Sequence, residues 1–529
     1  MKKLIINIIL VCSLSVLISC EKDFGEINKN PYATTITHVG PLFNNVVSSL
    51  RLGWDEQFYI HNEVLYKQSQ LAALTSEAWS NLSIGTENIW SNYYIALAHI
   101  RDIERRLDEM ENPNHPDSLN NVRGMVKVLM AYKTFRVTDL FGDMPFFEAG
   151  RGYTGVEYLH PNYDSQKDIY LYLLDELKWA ADSISLNPQS STGGSYYSIA
   201  SYDKLFNGNL LMWKKFANSL RLRHAMRIAE KEPELAASIL AEIFENGLPV
   251  IEPGEDVVMM PHEQNWLKES TNWSFREHKH LRMGSNLWNQ MADNDSNNGT
   301  GFYDPRAFIF FETNNDNKWA SYPQIPDANT TPSGGVPYGL HRDLNYAIKG
   351  ETCIYSPFNY YLIRDENTIP EIILTGSEKY FIKAEAYFRG IGLPVDEVLG
   401  ASEYFEGVIA SMDYWDNLKN NSSIWQYTDP NYENTNPYDV ANKIFFLEDP
   451  NEKLDLIYAQ RWIDAFRQPW EAYSLTRRTG RTPWEGEDPL NYFRLPYPPS
   501  ESEHNTANWS EQSGSMGGDL TTVKVWWMN

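Results

Sequence analysis

Aromatic residues within polar, turn-prone stretches are the side chains of this sequence with the clearest chemical potential. A flat ring can cover the C–H face of a sugar, and amide or guanidinium groups beside it can pair with hydroxyls. The stretches that combine the two supply ten candidate ligand contacts: Trp79, Asn81, Trp273, Arg276, Trp288, Trp319, Tyr322, Arg342, Trp425 and Tyr427. For each ring the alternative is that it covers the core, because aromatics carry much of a protein's buried area.

An oxygen-rich loop is a metal candidate. It contains Asp293, Asp295 and Asn297, with Asp304 further on, and hard cations prefer several carboxylate and carbonyl oxygens close together. An EF-hand loop needs glycine at its sixth position and glutamate at its twelfth, whereas here glycine is seventh and Asp304 is twelfth. A plain polar loop is therefore expected, and a calcium ion is the alternative.

Catalytic motifs are missing from the sequence. It has no HExxH, GxSxG, Walker A or dinucleotide-binding glycine pattern in a supporting context. With 70 acidic residues, a carboxylate pair for glycoside hydrolysis could be drawn anywhere and indicates nothing. Cys353 is the one cysteine beyond the first twenty residues, which excludes a disulfide framework and a cysteine metal cluster. Neither an enzyme nor a cofactor is expected.

Composition and charge restrict the partners. Apolar residues make up 42% of the 529 residues and aromatics 14%, enough to bury a large core. The formal net charge is −25, and a field of that sign repels phosphate backbones. Nucleic acid is therefore excluded as an expected partner.

The first twenty residues indicate export and anchoring. Lys2 and Lys3 precede an apolar run, Leu4–Ile18, that is too short to span a bilayer comfortably. A basic start, a short apolar run and a small residue at the cut are typical of a signal peptide, here residues 1–19. The segment Leu17–Cys20 resembles the lipobox of bacterial lipoproteins, which implies acylation of Cys20. Ordinary cleavage with release of the protein is the alternative.

Four amphipathic stripes predict a helical scaffold. Apolar residues recur every three or four positions within Ile89–Leu107, Val122–Phe135, Ile169–Ile184 and Leu210–Ile228, which is the period of helices that bury one face. Helices that cannot bury a stripe alone stack on their neighbours, as in tetratricopeptide arrays. We therefore expect a mostly α fold built from helical hairpins.

The same patterns divide the mature chain, which we expect to be a single domain over residues 20–529. Its helical scaffold is predicted at about 40–250 and 371–481. Turn-forming residues replace the helical period at about 252–370 and 417–438, which are predicted to be loop-rich.

Three further helices and a tail complete the prediction. The helices are expected at 371–388, 396–412 and 451–466. The tail, 482–529, is rich in Pro, Asn and Trp and is expected to be ordered loop over the surface.

Short motifs in sequence order carry a family resemblance over nearly the whole mature chain. They are Ile27–Pro31, Asp139–Pro145, Tyr303–Arg306, Phe381–Ala386, Gln460–Phe466, Glu471–Gly480, Arg494–Pro498 and Val525–Trp527. Together they resemble the SusD/RagB family of nutrient-binding outer-membrane lipoproteins, in particular its SusD-like branch.

The resemblance implies a fold, a location and a role. The fold would be tetratricopeptide-like hairpins packed against an irregular, ligand-binding subdomain. The protein would be lipid-anchored at the cell surface and would work with a SusC-like TonB-dependent outer-membrane barrel. It would bind an extracellular oligosaccharide and pass it on without catalysis, and an oligopeptide ligand for the same uptake system is the alternative.

Overall fold

A computed structural model gives the architecture of most of the chain. The residues that it describes are 38–75, 81–259, 281–292, 301–314, 316, 318–330, 354–359, 370–422, 432, 435–487 and 490–529. Across this part the protein is mostly α-helical, with four short strands. None of these described helices combines the length and the apolar character that crossing a bilayer requires. The predicted mostly α fold is confirmed.

The first layer consists of six helices in chain order. They are α1 (Val39–Ser48), α2 (Leu82–Glu109), α3 (Asn120–Phe141), α4 (Gln166–Ser183), α5 (Leu210–Arg227) and α6 (Pro233–Glu245). Helix α3 packs on α4, α4 on α5 and α5 on α6. The four predicted stripes fall on α2 to α5, and their apolar faces meet in one core. A π-helical segment, Glu56–Leu65, lies between α1 and α2.

Capping residues define where these helices begin and end. The Ser165 hydroxyl accepts a hydrogen bond from the Asp168 amide at 3.1 Å and starts α4, and the Asn209 carboxamide accepts one from the Leu211 amide at 3.1 Å and starts α5. These bonds satisfy amides that have no partner within the helix. Helix α3 ends at Gly142, whose φ of 82° suits a residue without a Cβ.

A second core forms around the C-terminal helices. Its helices are α7 (Ser285–Met291), α8 (Ala307–Phe310), α9 (Glu378–Arg389), α10 (Glu397–Asn421), α11 (Pro437–Ala441), α12 (Pro450–Asp464) and α13 (Pro469–Thr479). The Phe310 ring stacks on Phe466 at 4.0 Å and meets Trp415 edge-on at 4.7 Å. Aromatic packing of this kind fixes the short α8 against α10 and α12.

Buried ion pairs join the two cores. Arg223 on α5 donates to Glu378 on α9, and Arg461 on α12 donates to the same carboxylate at 2.8 Å. Arg227, also on α5, pairs with Glu471 on α13. Because a buried charge without a partner is strongly destabilising, these contacts hold the helices in one relative position.

Two short antiparallel ribbons stand outside the helices. Strand β1 (Ala73–Leu74) pairs with β3 (Leu281–Arg282), and strand β2 (Val257–Met259) pairs with β4 (Glu371–Leu374). Both ribbons lie at the edges of the predicted loop-rich region. Long segments of that region begin or end at these strands.

Several predicted boundaries are wrong. The helix predicted at 396–412 runs to Asn421, so it occupies the start of the region predicted as loop from 417. The helix predicted from 371 begins at Glu378, because 371–374 is strand β4. The region 252–370 also contains α7 and α8, which are too short to show a helical period.

The tail departs from its prediction as well. Instead of loop alone it contains α14 (Pro499–His504) and α15 (Thr506–Ser515). Pro499 takes the first helical position, where the missing N–H has no partner to lose and the fixed φ suits a helix. Proline therefore starts a helix here instead of preventing one.

Candidate functional site

The first ribbon brings two candidate segments to the same place. Leu74 pairs with Leu281 and Ala73 with Arg282 in antiparallel register. The chain that leaves β1 at Thr75 and the chain that enters β3 before Leu281 are therefore neighbours at one end of the ribbon. The first leads to Trp79, and the second comes from Trp273 and Arg276.

A polar anchor fixes this ribbon. The Gln70 carboxamide oxygen accepts hydrogen bonds from the Glu485 amide and from Asn286, both at 2.8 Å, and its nitrogen donates to the Glu485 carbonyl at 2.9 Å. Ser285 and Asn289 donate to the Glu485 carboxylate at 2.5 and 3.0 Å. One glutamine thus ties the turn before β1 to α7 and the tail. Sequence reasoning missed this anchor, because the partners of Gln70 are more than 200 residues away.

Two candidate tryptophans pack inside the second core instead of facing a ligand. Trp288 is fully buried and meets Phe302 edge-on at 4.6 Å. Trp319 is also buried, at 4.9 Å from Phe302 and 5.5 Å from Phe308. Rings closed off from solvent cannot stack on an incoming sugar, so the alternative, core packing, applies to both. Their location in a loop-rich stretch was misleading, because α7 packs its Trp288 inward and Trp319 packs on Phe302 and Phe308.

Tyr322 also has a structural position. It is 5% exposed, and its ring meets Tyr355 edge-on at 5.0 Å. Its backbone accepts from Ser285 at 2.9 Å and donates to Met283 at 2.8 Å. These contacts hold the segment after Trp319 beside β3, and they replace the predicted ligand contact.

Of the remaining ligand candidates, the structure describes only Asn81. Asn81 precedes α2, is half-buried and makes no capping hydrogen bond with its side chain. The other candidate positions lie outside the described residues: Cys20, Trp79, Trp273, Arg276, Arg342, Trp425, Tyr427, Asp293, Asp295 and Asn297.

Asp304 is not available to a cation. One of its carboxylate oxygens accepts from the Arg306 amide and Nε, each at 3.0 Å, and the other from Arg306 Nη2 at 2.7 Å. Both side chains are fully buried. The guanidinium already neutralises this carboxylate, so the calcium role considered for Asp304 is excluded. Over the described part of the chain, no group of three or more His, Cys, Asp or Glu side chains could hold a metal ion.

An aromatic cluster that the sequence analysis missed lies at the start of the π-helical segment, against α2. Trp54 is half-buried, stacks on Phe58 at 4.9 Å and meets Tyr59 edge-on at 5.8 Å. Tyr59 lies against Gly85 in the first turn of α2, directly after the Trp79 segment. The neighbouring Leu52 amide donates to Glu371 of β4 at 2.7 Å. The sequence does carry a signal for this cluster, because Trp54 lies in the polar stretch before the first clear helical stripe.

A cleft of about 520 Å³ opens beside the second ribbon. We call it the β2–α10 cleft. Its walls come from β2, the residue before β4 and the last turns of α10, and its lining includes Asp256, Val258, Pro370, Asp413, Tyr414, Asn417, Leu418 and Asn421. A concavity of this size suits a small ligand or one unit of a longer one.

Polar groups line one wall of this cleft at helical spacing. Asp413, Asn417 and Asn421 are four residues apart on α10 and exposed, so they form a ladder on one helix face. Burial raises the pKa of Asp256, and burial with the nearby Asp416 raises that of Asp413. Ligand groups that donate hydrogen bonds would stabilise both carboxylates.

A second cleft, of about 540 Å³, lies between α2 and α3 and is less suited to a ligand. Arg101 pairs with Glu104 at 3.0 Å and Arg123 with Asp108 at 2.7 Å. These two cations are therefore matched by neighbouring carboxylates. None of the described residues that line it belongs to the ribbons or to α10.

Comparison with known proteins gives the class. The sequence matches a SusD-like family model, described as starch-binding and associating with the outer membrane, over residues 31–487. No curated protein matches it. The chain therefore belongs to the SusD-like family, as the motifs indicated. The members of this family are binding proteins, so this chain is not an enzyme.

Solved structures agree on the fold. A SusD homologue from Parabacteroides distasonis is 21% identical with a TM-score of 0.70, and 93% of this chain covers 98% of that one. A chitin-binding protein is 23% identical with a TM-score of 0.68, covering 93% of this chain and all of that one. A chitin-binding SusD homologue from Flavobacterium johnsoniae is 19% identical with a TM-score of 0.65, covering 93% and 98%.

Proposed function

We propose that this chain captures an extracellular oligosaccharide at the cell surface and passes it, unmodified, to a SusC-like TonB-dependent barrel. The β2–α10 cleft is the observation that carries the ligand class. Its amide and carboxylate ladder suits hydroxyls, and its Leu418 and Val258 give it an apolar component. Family membership supports the location and the transport partner.

The ends of the loop segments support this placement. The segment that begins after Met259 of β2 ends before Leu281 of β3, so it connects the two ribbons. Trp425 follows Asn421 of the cleft wall by four residues. Four residues of fully extended chain span at most about 14 Å.

We therefore retain seven of the original candidates as proposed ligand contacts and add two. The retained residues are Trp79, Asn81, Trp273, Arg276, Arg342, Trp425 and Tyr427. The added ones are Trp54 and Tyr59, which lie beside the start of α2.

We further propose that acylation of Cys20 holds the protein on the outer membrane. Each buried methylene of an acyl chain contributes about 0.8 kcal/mol, so two or more chains hold it there essentially permanently. The signal-like residues 1–19 and the lipobox-like Leu17–Cys20 support this anchor.

Calorimetry and affinity gels against a glycan panel test the ligand. The panel is starch, fructan, chitin oligomers, host glycans and plant fibre; chitin oligomers are included because two structurally similar proteins are described as chitin-binding. The double change Asn417→Ala and Asn421→Ala should weaken binding by roughly 5- to 150-fold, since each hydrogen bond contributes about 0.5–1.5 kcal/mol.

Asn420→Ala is the matched control. It lies on the same helical turns as Asn417 and Asn421, is exposed and does not line the cleft. We expect it to bind like the unchanged protein. No binding across the whole panel would overturn the glycan ligand, and binding of an oligopeptide instead would establish the alternative.

A further inference from the structure

An exposed apolar surface lies at the opposite end of α10 from the cleft. It consists of Val398, Phe405, Tyr438, Phe445 and Phe446, which we call the Phe446 patch. Phe446 is 83% exposed and Val398 78% exposed. Val395 and Leu399, also exposed, extend it along the start of α10. Such a concentration of exposed apolar side chains is unusual on a soluble surface and marks an interaction site.

Contacts between the elements show that the patch is continuous. Phe405 stacks on Tyr438 at 6.0 Å and lies 6.3 Å from Phe445. Val398 precedes Phe405 by seven residues, which places both on one face of α10. The first turns of α10 and α12 are joined by Glu397 and Lys453, 2.9 Å apart. The patch thus combines α10, α11 and the 3₁₀ segment Asn442–Phe446.

The rim of the patch is acidic. Lys453 is paired with Glu397, and Lys443 lies 3.3 Å above the Tyr303 ring. The exposed charged residues on the described segments around the patch are acidic: Glu406, Asp439, Glu448, Asp449 and Glu452. The patch therefore presents an apolar centre within a negative border.

We propose that the Phe446 patch docks a protein partner whose surface has an apolar centre and a rim of Lys and Arg. Stable interfaces bury an apolar centre within a polar rim, and complementary charge selects the partner. A second copy of this chain would bring the same acidic rim against itself, and an anionic lipid surface would be repelled in the same way. A sugar stacked on the exposed Phe446 ring is the alternative occupant, and it would give no protein adduct in the test below.

This surface is separate from the proposed ligand site. The nearest residues of the two on α10 are Phe405 and Ala410, and five residues turn a helix by about 140°, so they face different sides. The far ends of the two sites, Val398 and Asn421, are about 35 Å apart along the helix. Each site can therefore be changed by substitutions that leave the residues of the other in place.

Photo-crosslinking in the cells that make the protein tests the proposal. Full-length protein would carry p-benzoylphenylalanine at position 446 or, as the control, at position 156, where Val156 is 80% exposed on another surface. We expect an adduct with one protein from position 446 and none from position 156. Mass spectrometry identifies the partner and the peptide that is linked, which should lie on an apolar surface flanked by Lys and Arg.

Charge reversal of the acidic rim is the second part of the test. Glu448→Lys with Glu452→Lys should lower the adduct yield by about fivefold or more, because like charges then face each other. The control reversal, Glu245→Lys with Glu511→Lys, uses exposed residues elsewhere and should leave the yield unchanged. Circular dichroism and retained glycan binding show that the variants are folded.

Four results would overturn the proposal: no adduct, an adduct with lipid, an adduct with a second copy, or a yield that the rim reversal does not change. Failure of the unchanged protein to bind any glycan would instead count against the proposed function. The two failures are therefore distinguishable.

Discussion

Arg223 donates from Nε to both carboxylate oxygens of Glu378, at 3.0 Å each, where the two helical cores meet. Arg461 donates to the same carboxylate from the other side. Although burial opposes ionisation, these guanidinium groups lower the pKa of Glu378 from 4.5 to about 2. The fold therefore depends on a charged glutamate in its interior.

The lowered pKa of Glu378 predicts that the fold loses stability in acid. Because the folded pKa lies below the unfolded value of 4.5, the stabilisation is complete above that pH and is lost as the pH falls toward about 2. Glu378→Gln should lower the free energy of unfolding at pH 7 by about 3–5 kcal/mol, since it removes the buried carboxylate that Arg223 and Arg461 share. The difference from the unchanged protein should shrink by about 2 kcal/mol between pH 7 and pH 3.

Urea unfolding at pH 7, 4 and 3 measures this difference. Glu406→Gln, at an exposed position on α10, is the control and should change stability by less than about 0.5 kcal/mol at every pH. A difference for Glu378→Gln that stays constant over the pH range would contradict the assigned charge.

Trp288→Ala should lower the stability of the fold strongly. The molecules that remain folded should bind the glycan with nearly unchanged affinity. The side chain is fully buried against Phe302, and removing a large buried ring costs about 3–5 kcal/mol. Thermal unfolding should show a clear fall in Tm, and Trp288→Phe a smaller one. Normal stability with lost glycan affinity would restore Trp288 as a ligand contact.

Trp54→Ala should show the reverse pattern. Its ring is half-buried beside the start of α2, and we expect roughly tenfold weaker glycan binding from the loss of about 1.4 kcal/mol of stacking. Trp179→Ala, which removes a half-buried tryptophan from α4, should leave the affinity unchanged. Calorimetry with the best glycan of the panel checks both, and equal effects of the two changes would count against a ligand role for Trp54.

Cys20→Ser should release the protein from the membrane. Without the acyl chains, the remaining surface carries the net charge of −25 and has no attraction to anionic lipid. Radiolabelled palmitate should mark the unchanged protein and not the variant, and the variant should appear in the soluble fraction. Equal labelling of the two would place the anchor elsewhere.

The sequence was most informative where structure is local. The stripe in Ile89–Leu107 predicts α2 because each apolar residue and its neighbour are within one helical turn. The pairing of Leu74 with Leu281 was not predictable in this way, because two residues of strand leave no period and the partner is distant. For the same reason the burial of Trp288 and the anchor at Gln70 emerged only from the tertiary structure.

The candidate ligand site was likewise predictable from the sequence only in part. Turn-prone stretches with tryptophan correctly drew attention to the region around the ribbons, yet they did not distinguish rings that close a core from rings that face outward. The ladder of Asp413, Asn417 and Asn421 was missed because the helix was predicted to end at Met412. Polar residues of low helix propensity at its end concealed that α10 continues, supported there by packing.

The unbroken course of α10 has a mechanical consequence. Over its 25 residues the helix is a lever of about 37 Å. A tilt of about 10° imposed at Glu397 would carry Asn421 sideways by roughly 6 Å, a displacement comparable to the width of a sugar ring. A protein bound at one end of α10 would thereby weaken the binding of a ligand at the other end. It would do so without contacting that ligand and without a hinge within the helix.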